Sequence, residues 1–365
     1  MIKLTSVIIV GAGPAGSSCA EFLAKNGFQV TILEKEKLPR YKPCGGAIPK
    51  EMIDEYGIPD SIIQRYFDSI ILHHVGKHVT IERKGAGAVL WRSDLDFFLT
   101  QRACDNGARL EDQTAVLNIK KEDDTFYIQT NRGEYKSNWI VAADGANSTV
   151  LRIAGWKKFA PNEIALTITQ EMELENPLIN DRLGSENLHI FFGKKVMGTG
   201  YGWLFPKKGI ISVGWGCQLD SITKSKDQFQ AFLELVHDQI KGGKIKQKAA
   251  HLVPVSIRPV YNDHIIAVGD AAGFVDSLSG KGIIYAAWSG LIAGQVLKTT
   301  LNRNDVDRFK ELYETKLKGA FLTALIAKRN IQQEVYSSDE NILRFMKLWQ
   351  NHHSTDIAFN LWNKK

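Results

Sequence analysis

The sequence predicts an α/β fold with a discontinuous domain built on a parallel sheet, an inserted antiparallel β-rich domain and a C-terminal helical segment. Residues 6–10 form a continuous apolar run, which is typical of a buried parallel strand. A second continuous apolar run lies at residues 265–268, so we expect the first domain to be interrupted. Between about residues 160 and 256 the chain carries short alternating strands with one helix, which predicts the inserted domain.

Composition limits the class of protein. The 365 residues are 44% hydrophobic and 24% charged, which is ordinary globular usage and excludes a disordered or low-complexity chain. The 46 basic residues barely outnumber the 40 acidic ones and form no run of five, so we expect no nucleic-acid partner. The net charge of +6 leaves open a weak attraction to anionic membranes or small anions.

Cysteine spacing and hydropathy indicate a protein of the reducing cytoplasm. The four cysteines are scattered without C-x-x-C or zinc spacing, so we expect neither a metal site nor a disulfide framework. The first residues lead directly into a strand and leave no room for a signal peptide. The most apolar stretch, residues 283–297, is shorter than the roughly 20 residues that a membrane span needs.

The first elements form a strand–helix–strand unit. A strand at residues 6–10 is followed by a helix at 14–26, which stops at Gly27, and by a strand at 29–33. The Pro- and Gly-rich segment Lys35–Pro49 is predicted to be a loop. The elements predicted next are a hairpin over 69–83, a helix over Ser93–Asn106 and strands over 113–143.

The inserted domain is predicted from strand-like alternation and a single helical stretch. Its strands are 164–173, 187–192, 201–206 and 210–216, with a helix near 223–240. A strand at 265–268 and a helix near 281–299 return the chain to the first domain. We therefore predict a first domain of residues 1–66, 89–155 and 257–300, an inserted domain of 67–88 and 156–256, and a C-terminal segment of 301–365.

A glycine motif lies between the first strand and the first helix. Gly11, Gly13 and Gly16 have G-x-G-x-x-G spacing, which allows a tight turn, a close approach to a pyrophosphate and helix–strand packing. The helix N-terminus offers unpaired N–H groups to the phosphates. Glu34 ends the second strand, where it can accept both ribose hydroxyls, and its charge disfavours a 2′-phosphate. The motif therefore predicts FAD or NAD rather than NADP.

Two later segments decide between FAD and NAD. The Asp-Gly pair at 144–145 closes one predicted strand, and the Gly-Asp pair at 269–270 closes another. With these segments the sequence resembles the Rossmann-type, glutathione-reductase-like FAD-binding fold shared by aromatic hydroxylases and isoprenoid reductases. The resemblance implies that Asp270 binds the ribityl chain and that the Asp144 segment shapes the flavin site.

The resemblance implies further cofactor contacts. Arg92 opens a helix and would contact the FAD, and Ala115 would lie beside the adenine. The helix beginning near Ile283 would point at the pyrimidine edge, where a helix start stabilises the charge of reduced flavin by ~0.3–2 kcal/mol. The predicted cofactor contacts are Gly11, Gly13, Pro14, Ala15, Gly16, Glu34, Lys35, Cys44, Gly45, Gly46, Ala47, Arg92, Ala115, Asp144, Gly269, Asp270, Gly280, Gly282 and Ile283.

The loop over residues 42–49 reads Lys-Pro-Cys-Gly-Gly-Ala-Ile-Pro, which resembles a segment of the geranylgeranyl reductases of the chlorophyll pathway. In that family the loop lies against the isoalloxazine, and a double glycine lets the backbone contact a flat ring. The resemblance implies that Cys44 faces the flavin and the substrate alkene. The alternative is that Cys44 is a small buried hydrophobic residue.

Residues 201–206 read Tyr-Gly-Trp-Leu-Phe-Pro, which resembles a second signature of the same family. Alternation along a strand puts the three aromatic rings on one face, and such a strip suits a long branched hydrocarbon. The archaeal pattern has a proline three positions before the tyrosine, where this chain has Gly198. An ordinary aromatic core strand is the alternative. The predicted substrate contacts are Tyr201, Trp203, Phe205 and Pro206.

The resemblance implies an FAD-dependent oxidoreductase acting on CH–CH groups. It would saturate C=C bonds of a geranylgeranyl or polyprenyl chain with a hydride from flavin N5 and a proton, for which Cys44 is the candidate donor or relay. No second G-x-G-x-x-G follows a strand, so electrons come either from transiently bound NAD(P)H or from a ferredoxin-like partner protein. Two alternatives stay open: a flavin monooxygenase or halogenase acting on an aromatic or polyketide-like compound, and a non-catalytic flavoprotein or lipid carrier.

The C-terminal segment carries apolar residues at helical spacing with lysines between them. Such a helix either packs on the protein's own core or lies on a membrane surface as a peripheral contact. His73 and His74 are neighbours in a strand and face opposite sides, so we assign them no function. The apolar positions are Val306, Phe309, Leu312, Tyr313, Leu317, Phe321 and Leu325.

Overall fold

The computed structural model describes residues 6–74, 76–303 and 305–352. The strands are β1 (Ser6–Val10), β2 (Gln29–Leu33), β3 (Ala47–Pro49), β4 (Ile63–His74), β5 (Lys77–Leu90), β6 (Arg109–Glu111), β7 (Val116–Glu122), β8 (Thr125–Thr130), β9 (Gly133–Ser137), β10 (Trp139–Ala142), β11 (Ile164–Glu173), β12 (Asn187–Phe192), β13 (Gly200–Lys207), β14 (Ile210–Gln218), β15 (Lys244–Pro254), β16 (Tyr261–Asn262) and β17 (Ile265–Ala267).

Helices lie between several of these strands and follow the last one. The helices are α1 (Pro14–Lys25), α2 (Lys50–Tyr56), α3 (Arg92–Asp105), α4 (Thr149–Ile153), α5 (Asn176–Leu183), α6 (Lys194–Met197), α7 (Ser225–Leu235), α8 (His237–Ile240), α9 (Gly269–Ala272), α10 (Ile283–Asn302), α11 (Phe309–Leu317), α12 (Thr323–Val335) and α13 (Asp339–His352). A π-helical turn, Lys318–Leu322, joins α11 to α12.

The chain divides into two compact units whose boundaries differ from the predicted ones. The first unit comprises Met1–Tyr41, Ser93–Phe159 and Pro254–Ala327, and the second comprises Lys42–Arg92, Ala160–Val253 and Lys328–Lys365. Residues 42–66 group with the second unit because β3 and β4 both pair with β5 in its sheet. The last helix groups there as well, since Asp339 of α13 pairs with His74 of β4 at 2.9 Å.

The first unit contains a six-stranded sheet in the order β16-β17-β10-β1-β2-β6. Its strands are parallel except for β16, which is an antiparallel edge. The apolar runs predicted at 6–10 and 265–268 form strands β1 and β17, which pair with β10 from its two sides, and their apolar residues are buried. Strands β7, β8 and β9 form a separate antiparallel sheet. The predicted α/β class and the interruption of the parallel sheet are therefore confirmed.

The second unit contains an eight-stranded sheet in the order β15-β11-β14-β13-β12-β4-β5-β3. Strand β12 runs parallel to β4, whereas β13 is antiparallel to both β12 and β14. One face packs into a core with α5, α7 and α8, where Leu204, Trp215 and Phe232 are fully buried. The prediction of a loop throughout 35–49 is wrong at its end, because Ala47–Pro49 pairs with Val89–Gly87 as β3.

The C-terminal apolar positions pack on the core of the first unit. Phe309, Tyr313 and Leu317 are each 0% exposed, and Phe321 and Leu325 are buried beside them. The Tyr313 hydroxyl donates to the Ala267 carbonyl at the end of β17 at 3.1 Å. Of the two readings of this segment, helix packing on the protein's own core is confirmed. Over the described ranges, no helix is both long and apolar enough to cross a membrane.

Candidate functional site: a dinucleotide cradle and an aromatic strip

In the glycine turn after β1, backbone atoms fill the space beside Gly11 and Gly16, whereas the space beside Gly13 is open. A methyl group at Gly11, which has a φ of +107°, would overlap the Ala143 carbonyl, and one at Gly16 would overlap the Gly11 carbonyl. These two glycines are therefore required by backbone packing. At Gly13 the situation differs, because a methyl group there would have no atom of the described residues within 4 Å apart from its chain neighbours. The open space at Gly13 leaves room for a ligand at the start of α1.

Two helix N-termini lie in this part of the first unit. In the described chain, neither α1 nor α10 has a side-chain cap or an acidic residue in its first turn. A methyl at Gly290 of α10 would overlap the Ala15 carbonyl, so the two helices pack closely. A methyl at Gly269 would lie 2.9 Å from the Ala15 Cβ, which brings the Gly-Asp segment to the same place. The first unit thus offers two uncapped helix starts that favour negative charge.

Glu34 is buried at the end of β2, as its predicted role requires. Its Oε2 accepts from the Ala12 N–H at 2.9 Å, and its Oε1 accepts from the Glu36 N–H at 3.1 Å. The Arg40 Nε lies 3.6 Å from Glu34, and Arg40 Nη1 donates to Asp96 Oδ2 at 3.0 Å. The sequence reasoning missed Arg40 and Asp96, because a contact across 56 residues leaves no local pattern.

Asp144 has a structural role that the sequence did not predict. Its Oδ2 accepts from the N–H groups of Thr149 and Val150 at 2.7 and 3.1 Å, so it satisfies the first turn of α4. Its Oδ1 is shielded from solvent and has no hydrogen-bond partner among the described residues. Burial raises the pKa of this carboxyl, against the hydrogen bonds that lower it. The unsatisfied oxygen can accept from a hydroxyl-bearing ligand.

The loop before α10 is organised by a second buried carboxylate. Asp276 is 0% exposed, and its Oδ1 accepts from the N–H groups of Leu278 and Ser279 at 3.0 and 3.1 Å. The Gly280 N–H donates to the Asp276 carbonyl at 2.8 Å, and Gly280 takes a φ of +70°. This turn sets the start of α10, and the sequence analysis missed Asp276. A methyl at Gly282 would lie 3.7 Å from Asp270 Oδ1, so the two predicted contacts are close.

The remaining predicted cofactor contacts lie in varied surroundings. Lys35 is exposed, whereas Arg92 is buried at the start of α3. The Ala115 N–H donates to Asn131 Oδ1 at 2.8 Å, and its carbonyl accepts from the Asn131 N–H at 3.2 Å. The backbone of Ala115 is thus held by Asn131 in a fixed position.

In the second unit the predicted aromatic strip is present on one face of β13. The ring centroids of Tyr201 and Trp203 are 6.1 Å apart, and those of Trp203 and Phe205 are 6.4 Å apart. The Trp203 indole covers Gly214 of β14, where a methyl group would overlap it. Pro206 alternates to the other face of the strand and is buried there.

The Cys44 loop packs directly on this strip. A methyl at Gly45 would overlap the Phe205 ring and lie 3.2 Å from Trp203 Nε1. At Gly46, which has a φ of +80°, a methyl would overlap the Leu90 carbonyl. The Cys44 Sγ, which is partly exposed, accepts from the Gly46 N–H at 3.4 Å. The second unit therefore brings together the two segments that resemble the reductase family, although 150 residues separate them.

A buried ion pair lies at the end of the strip. Lys207 is 1% exposed and Glu171 is 2% exposed, and Lys207 Nζ lies 3.2 Å from Glu171 Oε2. The Ser212 hydroxyl donates to Glu171 Oε1 at 3.2 Å, and Lys207 Nζ lies 3.8 Å from the centroid of the Trp91 ring. Burial lowers the pKa of Lys207, and the charge of Glu171 opposes that shift. The sequence carried a signal for this residue, since Lys207 continues the alternation of the aromatic strip.

Within the described part of the chain, no three His, Cys, Asp or Glu residues are arranged to hold a metal ion. The parallel sheet, the open glycine turn and the two uncapped helix starts define the first unit as a Rossmann-type dinucleotide-binding domain.

Comparisons with known proteins agree with this class. A family model described as an FAD binding domain matches residues 4–316. The chain is 33% identical to the digeranylgeranylglycerophospholipid reductase of Methanocaldococcus jannaschii over 82% of this chain and 78% of that protein. It is 30% identical to the geranylgeranyl diphosphate reductase of Synechocystis sp. over 97% of this chain and 91% of that protein.

Solved structures give the same result. A geranylgeranyl bacteriochlorophyll reductase-like protein from Thermoplasma acidophilum matches with a TM-score of 0.87 and 25% identity, over 97% of this chain and 95% of that one. A flavin-dependent brominase matches with a TM-score of 0.77 and 20% identity over 97% of this chain and 94% of that one, which shows the shared fold alone. The chain therefore belongs to the geranylgeranyl reductase family of FAD-binding proteins.

The first unit fits FAD, the cofactor of this family. Gly13 leaves open space at an uncapped helix start, where a pyrophosphate is expected. The unsatisfied Oδ1 of Asp144 and the carboxylates of Glu34 and Asp270 are acceptors suited to the hydroxyl groups of FAD. The resemblance on which the sequence analysis depended is confirmed, while the role of each individual residue stays a prediction.

Proposed function

We propose that this protein saturates isolated C=C bonds in a geranylgeranyl or polyprenyl chain with FAD as its cofactor. One observation carries the proposal: the Cys44–Gly46 loop packs on the strip of Tyr201, Trp203 and Phe205. The names of the relatives from Methanocaldococcus jannaschii and Synechocystis support it, since both proteins are reductases of geranylgeranyl compounds. An aromatic strip next to a thiol-bearing loop suits a hydrocarbon that offers only apolar surface and π-electrons.

The reduction of an isolated alkene sets the demands on the protein. Reduced FAD supplies the hydride. Such an alkene has no carbonyl group to accept negative charge, so proton transfer to one carbon must accompany or precede hydride transfer to the other. The Tyr201, Trp203 and Phe205 rings would exclude water and stabilise the cation-like character at the receiving carbon through their π faces. The Cys44 S–H is the proposed source of the proton.

The FAD contacts proposed in the first unit divide by their chemistry. The glycine turn and the start of α1 would hold the pyrophosphate, Glu34 the adenosine ribose, and Asp270 the ribityl chain. The start of α10 at Gly282 and Ile283 would stabilise negative charge on the reduced ring by ~0.3–2 kcal/mol. The remaining contacts named from the sequence, including Arg92 and Ala115, are proposed on the family resemblance.

The electron donor and the cellular site are finer proposals. No second G-x-G-x-x-G motif follows a strand in the sequence, so the reductant is either NAD(P)H that binds transiently or a ferredoxin-like protein. A polyprenyl substrate dissolves poorly in water, so we propose a cytoplasmic protein that takes its substrate from a membrane by peripheral contact. The net charge of +6 would favour an anionic lipid surface.

The proposed function is tested by anaerobic single turnover. Photoreduced, FAD-loaded protein is mixed with geranylgeranyl compounds that differ in head group, and the products are weighed by mass spectrometry. We expect a gain of two mass units for each bond reduced and reoxidation of the flavin. Substrate-dependent oxygen consumption with a gain of oxygen or halogen on an aromatic compound would instead establish the monooxygenase or halogenase class. A flavin that no reductant bleaches would point to a non-catalytic carrier.

The proposed role of Cys44 predicts that its substitution slows alkene reduction without releasing FAD. Cys44→Ala is expected to keep bound FAD but to lose at least about tenfold in the rate of alkene reduction, since it lacks the proton donor. Flavin absorbance measures retention, and single-turnover mass spectrometry measures the rate. Cys104→Ala, at a partly buried thiol on α3, is the matched control and should reduce the alkene at the wild-type rate. Wild-type activity in Cys44→Ala would remove Cys44 from the mechanism.

A further inference from the structure

Lys207 and Glu171 form a buried ion pair that has no role in the reaction proposed above. Both side chains are at least 98% shielded, and Lys207 Nζ lies 3.2 and 3.4 Å from the two Glu171 oxygens. Burying two ions costs desolvation energy that their attraction seldom exceeds by much, so such a pair is weak evidence for a purely stabilising role. Its position in the second unit suggests a different use.

Two independent contacts place this charge beside the Cys44 loop. On one side, Gly45 packs on the ring of Phe205, and Lys207 is the next residue on the same face of β13. On the other side, the Leu90 N–H donates to the Gly46 carbonyl at 3.0 Å. Trp91 follows Leu90 directly, and Lys207 Nζ lies 3.8 Å from the centroid of its ring. The loop therefore contacts the residue two positions before Lys207 on β13 and the residue directly before Trp91.

The electrostatics of the second unit agree with this placement. Burial lowers the pKa of Lys207, and the negative charges of Glu171 and, to a smaller extent, Cys44 raise it. Opposite charges attract each other, so a Lys207 ammonium would favour negative charge that forms on the nearby loop. The surroundings of Lys207 also hold it in place, since Glu171 receives a hydrogen bond from Ser212 and the Trp91 ring attracts a cation.

We propose that Lys207, anchored by Glu171 and Trp91, is the positioning residue that stabilises the Cys44 thiolate left by proton donation. This inference rests on the proposed function. In the step concerned, the S–H bond of Cys44 breaks and its proton forms a C–H bond with the π-electron pair of the alkene. With FAD bound, the reduced cofactor would supply the hydride that forms the second C–H bond, at the other alkene carbon. The sulfur keeps the electron pair of the S–H bond beside the Lys207 ammonium, and a proton from water later restores the thiol.

The test measures thiol chemistry separately from alkene reduction. Holoenzyme is treated with iodoacetamide at pH 7, and the alkylation rates of Cys44 and Cys104 are followed on their peptides by mass spectrometry. The main variant is the double substitution Lys207→Met with Glu171→Gln, which removes both charges and leaves no unpaired buried ion. We expect its Cys44 rate to fall about tenfold, since the thiolate loses a neighbouring cation, and its Cys104 rate to be unchanged.

Two further variants complete the test. Lys207→Arg keeps the charge and is expected to keep the Cys44 rate within about threefold of wild type. Lys208→Met removes an exposed charge in the turn that follows β13 and should leave the rate unchanged. Glu171→Gln alone removes the carboxylate that keeps Lys207 charged and in place, so it should lower the Cys44 rate. This last variant keeps the proposal testable if the double variant fails to fold.

The outcomes separate this proposal from the proposed function. A tenfold fall in Cys44 alkylation together with a tenfold fall in kcat at unchanged KM supports both. A fall in alkylation in a protein whose wild type reduces no geranylgeranyl compound supports the coupling of Lys207 to Cys44 and refutes the reductase. Equal Cys44 rates in the wild type and in the folded double variant would overturn the role of Lys207. An unchanged Cys44 rate in Glu171→Gln would overturn it too.

Discussion

At the scale of single residues, local spacing predicts only part of the candidate site. The partners of the other residues depend on contacts between segments that are distant in sequence. The glycines of the turn after β1 could be predicted because their roles depend on neighbours within six positions. The pairing of Lys207 with Glu171 could not be, since the residues lie 36 positions apart and β14 separates their strands. His73 is a similar case. Its position in a strand predicted no function, and in the structure its Nε2 lies 2.9 Å from His189 Nδ1.

His73 predicts a pH-dependent stability. Burial, with help from the nearby His189 and His78, lowers its pKa from 6.5 to about 4. In unfolded chains the pKa stays near 6.5, so between about pH 6.5 and 4 the unfolded state binds the extra proton and stability falls as the pH falls. The side chain is partly exposed, so we expect about 1–2 kcal/mol to be lost between pH 7 and pH 5.

The measurement is urea unfolding at pH 7 and pH 5. His73→Gln keeps a polar side chain that cannot take up the proton, so its loss over this range should be smaller than that of the wild type by the same 1–2 kcal/mol. The exposed His237 serves as the control, and His237→Gln should follow the wild type. Identical pH dependence in His73→Gln and the wild type would show that His73 does not titrate between the folded and unfolded states.

At the scale of elements, helices and strands with strong periodicity were predicted and irregular ones were not. Strands β1, β2 and β11 and helix α1 lie where the apolar patterns put them. Strand β3 is three residues long and follows a Pro- and Gly-rich segment, so its pairing with β5 leaves no periodic signal. The parallel pairing of β12 with β4 was also beyond the sequence, since it joins strands more than 100 residues apart.

The packing of α10 on α1 predicts that alanine substitutions at two glycines of α10 destabilise the protein to different extents. A methyl at Gly290 would overlap the backbone carbonyl of Ala15, which cannot move without shifting α1. A methyl at Gly294 would lie 3.1 Å from the Phe22 Cδ1, which can rotate away. Urea unfolding should therefore show about 2–4 kcal/mol of destabilisation in Gly290→Ala. In Gly294→Ala the cost should be below about 1 kcal/mol, because alanine also favours the helix.

The comparison of these two variants carries the argument, because both make the same chemical change on the same helix. A cost in Gly290→Ala no larger than that in Gly294→Ala would show that α1 and α10 are not in backbone contact. The same contact holds the starts of α1 and α10 together in the first unit. Gly290→Ala is therefore also expected to weaken FAD binding, which Gly294→Ala should leave close to that of the wild type.

At the scale of the whole molecule, the order of the domains could be predicted but not their boundaries. The apolar run at residues 265–268 indicated that a late segment of the chain completes the parallel sheet. Strand β17, which pairs in parallel with β10, confirms this. Residues 42–66 and 328–352 belong to the second unit through pairing with β5 and β4. Those partners are remote in sequence, and local composition does not record them.

Cofactor binding links the glycine turn to the stability of the whole protein. A ligand that binds only the native state stabilises it by RT ln(1 + [L]/Kd), or about 2.7 kcal/mol at a hundredfold excess over Kd. We therefore expect removal of FAD to lower the melting temperature of the wild type. Gly13→Ala should separate this effect from the fold itself, because Gly13 has a φ of −84° that alanine adopts readily.

The experiment compares apo-protein and FAD-loaded protein in thermal melts. Apart from its chain neighbours, no atom of the described residues lies within 4 Å of a methyl at Gly13, so apo Gly13→Ala should melt within about 2 °C of the apo wild type. Its methyl would occupy the space predicted for the pyrophosphate, so FAD should no longer raise its melting temperature. Gly319→Ala, at an equally open glycine in the π-helical turn, should keep the full FAD-dependent rise. An undiminished rise in Gly13→Ala would place the phosphates away from this turn and require a different binding mode for the cofactor.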